Sequence, residues 1–271
     1  MSEGNIVQKT PQPRTRGNLT EDLRRLGLKP GMVVLVHSSL SALGWVNGGP
    51  VAVIQALMDA LTPDGTLMMP SHSGDLSDPA NWSNPPVPAE WHQTIRETMP
   101  AYDPHITPTR GIGRVAELFR TFPGVIRSGH PALSFAAWGR QANFLTEDHR
   151  LEWSLGEHSP LARLYELDGH ILLLGANHDN NTSLHLAQYR VEGMFPAVTQ
   201  GAPVMQEDGP HWVQYQDLEL ETEGFEDIGK SFQAAGGIIT GRVGSAEAQL
   251  MRQRTLVDYA VIWFQEHEPG S

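Results

Sequence analysis

The chain has 271 residues, 39% of them hydrophobic and 18% charged, enough to bury a large core as one domain or two small ones. It contains no cysteine, so disulfides, thiolate metal sites and a cysteine nucleophile are all excluded. The net charge of −12 disfavours nucleic acid, whose phosphates need clustered Lys and Arg. A negative surface serves solubility, or raises the local concentration of a cationic substrate. No apolar run approaches the roughly 20 residues that cross a bilayer, and the first residues lack a signal peptide's apolar core. A cytoplasmic protein with no membrane partner is expected.

Residues 1–17, with Pro11, Pro13, Arg14 and Arg16 and little apolar periodicity, read as a mobile tail. Asn18-Leu-Thr-Glu21 fits a capping box opening a helix through Leu26. Met32 to His37 is a continuous apolar run, as in a buried strand, and Pro50 suits the first turn of a helix to about Leu61. A turn at 63–65 leads to a short strand, Thr66 to Met69. The next forty residues are rich in proline and hold Trp82, Trp91 and Tyr102, the pattern of a long functional loop. Helices are expected at 113–121 and 160–167, and strands at 133–138 and Ile171 to Leu174. A helix from near Asn180, a strand from His211 to Glu221 and a closing amphipathic helix over 245–265 complete the pattern. Alternating strands and helices indicate a single α/β domain over 18–267, with a mixed or mostly parallel central sheet flanked by helices and a short tail at 268–271.

Five stretches could carry chemistry. His37-Ser-Ser-Leu40 ends a buried strand, where small polar residues and backbone N–H groups can cradle a pyrophosphate or merely cap a turn. Arg110-Gly-Ile-Gly113 precedes a helix and could bind phosphate, although no strand stands before it. Ser128-Gly-His-Pro131 could fix an imidazole, or hold only a structural histidine. In Gly175 to Ala187, Asp179 or Asn180 caps a helix on which Thr182, His185 and Gln188 share a face, and His185 is suited to accept a proton from an amine near neutral pH. In the strand to Glu221, Tyr215, Asp217, Glu219 and Glu221 share a face; one acid could orient an imidazole, and the others could attract ammonium groups or be ordinary solvated acids. No Gly-x-Ser-x-Gly elbow of a serine hydrolase occurs, and His178 and His185 are not spaced as a zincin pair.

Four segments together resemble the aminoglycoside 3-N-acetyltransferase family: Val34 to Leu40, Pro63 to Pro70, Ser128 to Pro131 and Gly169 to Ala187, collinear within about 18–265. The resemblance implies acetyl-CoA as donor, no metal, and acetylation of the 3-amino group of a 2-deoxystreptamine ring, conferring resistance. Acetylation of another amine in secondary metabolism, or less favoured a metal-dependent hydrolase, is the alternative. The resemblance implies His185 as general base and Glu219 as the acid that supports it; a direct transfer with both substrates bound, and Thr182 as a further donor, are expected. His37, Ser38, Ser39 and Leu40, with Arg110, Gly111, Gly113, Ser128 and His130, are expected to hold CoA, the oxyanion meeting N–H groups near Ser39. Asp75, Glu90, Tyr102, Asp103, Asp179 and Asp217 are expected against the cationic acceptor. The family continues His-Leu-Ala-Glu where this chain has Gln188, so one substrate-facing carboxylate is replaced. The protein is expected as a monomer or a homodimer.

Overall fold

The computed structural model describes residues 2–267, so the expected tail at 268–271 lies outside the described residues. The segment expected as an N-terminal tail contains a short helix, α1 (Glu3–Lys9), and Arg14 bridges to Val46. α2 (Arg16–Leu26) starts earlier than the expected box, because Thr15 and Asn18 cap each other's backbone N–H groups at 3.3 and 2.9 Å. Leu19, Leu23 and Leu26 then form its buried stripe.

The remaining elements are β1 (Val33–Ser38), α3 (Gly49–Leu61), β2 (Thr66–Pro70), α4 (His92–Thr98), α5 (Gly113–Phe119), β3 (Ile126–Arg127) and β4 (Phe135–Gly139). They continue with α6 (Ala142–Thr146), α7 (Pro160–Glu166), β5 (His170–Leu174), α8 (Ser183–Tyr189), β6 (Ala197–Gln206) and β7 (Gly209–Leu218). The chain closes with α9 (Phe225–Ala234), β8 (Ile238–Val243), β9 (Ala246–Arg252) and α10 (Gln253–Glu266). Seven strands form one sheet in the order β3-β4-β2-β1-β5-β9-β8. β1 runs parallel to β2 and β5, while the flanking pairs are antiparallel, so the sheet is mixed around a parallel centre. β6 and β7 stand apart as a two-stranded ribbon. The helix expected over 245–265 is corrected at its start: 246–252 is β9, hydrogen-bonded on both sides.

Side chains alternate along the central strands and define two cores. Val34 and Val36 of β1 and Leu172 and Leu174 of β5 face α2 and α3. Leu35, Ile171 and Leu173 face the opposite core, built with α7, α8 and α10. Both faces are covered, which is why these strands read as unbroken apolar runs. At the edge of β4, Gly139 has φ 103°, and a Cβ there would lie 2.1 Å from the Gly65 carbonyl oxygen. Gly139→Ala is therefore expected to cost about 2–4 kcal/mol through backbone strain and a clash that no side-chain motion relieves. A denaturant titration showing an unchanged midpoint would contradict this.

Candidate active site

The carboxyl ends of parallel strands leave free backbone and an open crevice. Here β1, β2 and β5 end side by side, and a cavity of about 1020 Å³ opens there. Its walls include Ser38 to Leu40 at the end of β1, His72 after β2, Ala176 and Asp179 after β5, Thr182 at the N-cap of α8 and His185 within it. Gly111 to Arg114, leading into α5, close another side.

His185 lies in the first turn of α8, edge-on to Phe225 with ring centroids 5.0 Å apart. Its Nδ1 is 2.7 Å from Gln188 Oε1, and Gln188 Nε2 donates to the Glu221 carbonyl at 2.9 Å. Because that carbonyl only accepts, the amide must turn its oxygen to the ring. Nδ1 therefore carries the proton and Nε2 keeps its lone pair. Burial pushes the His185 pKa down to about 4, outweighing the hydrogen bond the ring donates to Gln188, so the ring is neutral at physiological pH.

The expected partner Glu219 is not the one found. β7 ends at Leu218, so Glu219 leaves the strand face; it is exposed, its N–H donates to Pro196, and it does not border the cavity. Gln188, standing where the family has a carboxylate, takes the orienting place.

Two further imidazoles share the cavity with His185. His37, at the end of β1, is buried, and burial and the neighbouring His185 push its pKa down to about 3. His72 is pushed down to about 3 by burial and then by His37 and His185, and its ring stands edge-on to Phe135. His72 escaped the sequence reading, because it belongs to no motif; its signal was its position immediately beyond a strand neighbouring β1. Among the described residues no three His, Cys, Asp or Glu side chains are grouped to hold a metal ion.

The expected CoA residues divide. His37, Ser38, Ser39, Leu40, Gly111 and Gly113 all border the cavity. The Ser39 N–H, however, is spent on the Leu174 carbonyl at 2.9 Å, whereas those of Leu40 and Ser41 have no partner among the described residues. Arg110 points away, paired with Asp75 and bonded to the Asn84 carbonyl; Arg114, one helical turn on, borders the cavity instead. Ser128 and His130 are buried behind the site. Ser128 Oγ lies 2.9 Å from His149 Nδ1 and accepts the Phe135 N–H, and His130 Nε2 meets the Leu151 carbonyl. Burial leaves them no ligand to reach.

The expected acceptor acids are mostly elsewhere. Asp75 is taken by Arg110, Asp103 caps the His105 N–H, and Glu90 lies exposed on a short turn at Ala89–Trp91. Tyr102 is buried and donates to the Ser128 carbonyl at 2.8 Å. Asp217 is 2% exposed and accepts from Ser154 Oγ at 2.5 Å and from the Tyr189 hydroxyl. Burial pushes its pKa up against those hydrogen bonds, which marks a structural carboxylate joining β7 to α8. Asp179 does border the cavity. It does not cap α8, whose N-cap position is Thr182; it lies in a separate turn, His178–Asn180.

The chain is similar to several known proteins over most of its length. Residues 35–265 match the family model of aminoglycoside 3-N-acetyltransferases. The chain is 51% identical to the SPbeta prophage-derived aminoglycoside N(3')-acetyltransferase-like protein YokD of Bacillus subtilis, over 96% of this chain and 95% of that one. The crystal structure of YokD superposes with a TM-score of 0.96 at 49% identity, covering 99% of each chain. Aminoglycoside N(3)-acetyltransferase III of Pseudomonas aeruginosa is 36% identical over 93% of this chain and 94% of its own. The structure of AAC-IIIb in a binary complex with CoASH superposes with a TM-score of 0.85 at 32% identity, covering 96% of this chain and 99% of that one. AAC-VIa bound to sisomicin does so with 0.84 at 29%, covering 96% and 100%.

Proposed function

The chain belongs to the aminoglycoside 3-N-acetyltransferase family and is an acetyltransferase, and from that premise we propose that it transfers an acetyl group from acetyl-CoA to the 3-amino group of a 2-deoxystreptamine aminoglycoside. The observation that carries the reading is the neutral His185, oriented by Gln188 with its Nε2 unprotonated beside the cavity. CoASH in AAC-IIIb and sisomicin in AAC-VIa support the two ligand classes.

Both substrates occupy the cavity together. The acceptor ammonium first loses a proton to solvent. As the free amine attacks the thioester carbonyl, His185 Nε2 takes the second proton. The Leu40 and Ser41 N–H groups and the Thr182 hydroxyl are the available donors for the oxyanion. Collapse breaks the C–S bond, and the thiolate leaves as CoA thiol with the proton from His185. Arg114 supplies charge to the CoA phosphates, with Ser38 to Leu40 and Gly111 to Gly113 along the pantetheine.

Steady thiol release with a 2-deoxystreptamine aminoglycoside, and a product acetylated on the 3-amino group by NMR, is the expected result. Release only with unrelated amines would overturn the substrate assignment. Gln188→Leu is expected to lower kcat about 10-fold, since the ring loses its orienting acceptor. Gln188→Glu should keep activity, and Glu219→Gln should leave kcat unchanged. A large loss in Glu219→Gln with none in Gln188→Leu would restore Glu219 as the partner.

A further inference from the structure

We propose that the N-terminal helix α1 is a wall of the acceptor site, and that Glu3 binds an ammonium group of the acceptor; this rests on the acetyl-transfer reading above.

α1 buries none of its residues, so core packing does not explain its place. It is nevertheless held. Thr10 Oγ1 accepts the Trp45 N–H at 2.9 Å and donates to the Ile6 carbonyl at 2.7 Å. The Arg14 N–H donates to the Trp45 carbonyl at 2.9 Å, and the Asn47 N–H to the Arg14 carbonyl at 2.8 Å. Arg14 Nη2 also reaches Ser245 Oγ at 3.0 Å. These bonds dock the segment on the loop that feeds α3. Glu3 and Ile6, three apart and hence on one helix face, border the same cavity as His185.

Charge then assigns the ligand. Among the described residues, the carboxylates bordering the cavity are those of Glu3 and Asp179, against the single guanidinium of Arg114. Asp75, Asp103 and Asp217 are occupied by other partners, and Glu90 lies away from the cavity. Among the described residues Glu3 has no ion pair or side-chain hydrogen bond, so its charge is available to a polycation entering the mouth. The CoA phosphates would be repelled by Glu3 and attracted by Arg114.

The test is steady-state kinetics on the full chain at low salt, because exposed charges are screened by salt. Glu3→Gln is expected to raise the acceptor KM about 3-fold and Glu3→Lys about 10-fold or more. The KM for acetyl-CoA and the kcat should not change. The effect should shrink at high salt and grow with the number of amino groups on the acceptor, a trend that loss of helix structure alone would not produce. Deleting residues 2–9 should raise the acceptor KM at least as much as Glu3→Gln, with the melting temperature maintained, since α1 buries none of its residues. An unchanged acceptor KM in Glu3→Lys overturns the proposal, as does a selective rise in the acetyl-CoA KM. No acetyl transfer by the wild-type protein overturns both this proposal and the reading beneath it.

Discussion

Replacing His185 by alanine is expected to lower kcat by about 100-fold or more, the usual scale for losing a general base, while the dissociation constant of CoA stays the same. The substitution removes the Nε2 lone pair but none of the groups at Ser38 to Leu40 or Arg114 that border the cavity and are proposed to hold CoA. Residual turnover would come from positioning and the oxyanion donors alone. The pH profile carries the same information. With its pKa held at about 4 instead of 6.5, His185 stays an unprotonated base well below neutrality. The acid limb of kcat/KM assigned to the enzyme should therefore lie near 4, and the rate should otherwise rise with the fraction of free acceptor amine. Near-wild-type turnover in His185→Ala would falsify the assignment.

The second large effect is on stability. The melting temperature is expected to fall steeply as pH drops below 6.5. Five histidines, His37, His72, His130, His149 and His185, have pKa values pushed down by burial as the first cause, to about 3, 3 and 4 for the first three and about 4 for His185. The unfolded chain protonates each of them near 6.5, whereas the folded chain does so only near 3 or 4 for His37, His72, His130 and His185 and well below 6.5 for His149. Between those limits the unfolded state holds more protons, so stability decreases as pH falls, by up to about 1.4 kcal/mol per pH unit for each ring. Asp217 acts in the opposite sense, because its raised pKa lets the folded state take up a proton first. One carboxylate does not offset five rings. Even a fraction of the full linkage at pH 5 is comparable with the roughly 5–15 kcal/mol that holds a domain folded. Thermal melts of the apo protein should lose more than about 10 °C between pH 7.5 and 5.5. A flat profile over that range would mean that these rings are solvated or charged in the folded chain.

How far the sequence could be read differs from residue to residue. β1 and β5 were legible because strands covered on both faces show as unbroken apolar runs, and the neighbourhood of His185 followed from its place just beyond such a strand. β9 was not. Ala246 to Met251 uses Ala, Glu, Gln, Leu and Met, all good helix formers, and reads naturally as the start of α10. Pairing with β5 and β8 overrides that preference, and the alternation of buried Ala246, Ala248 and Leu250 with Glu247 and Gln249 was its only local trace. Thr15 was passed over for the same reason that Asn18 was noticed: either fits a cap, and only the backbone geometry chooses between them.

The sequence by itself determined the α/β class, the strand-turn-helix that carries His185, and the resemblance that named the reaction. The first two are local patterns, set by the period of buried side chains over a few residues, and the third rests on four short motifs in collinear order. The tertiary structure alone decided which charges face the cavity. Glu219 is two residues before Glu221, yet the end of β7 turns its side chain away, and it is the Glu221 backbone that steadies Gln188 against His185. Arg110 and Arg114 differ by one helical turn, and only one of them borders the site. Glu3, nearly two hundred residues from His185, comes to the same cavity because hydrogen bonds at Thr10 and Arg14 dock its helix. Such choices depend on contacts between segments far apart in the chain, which no local spacing encodes.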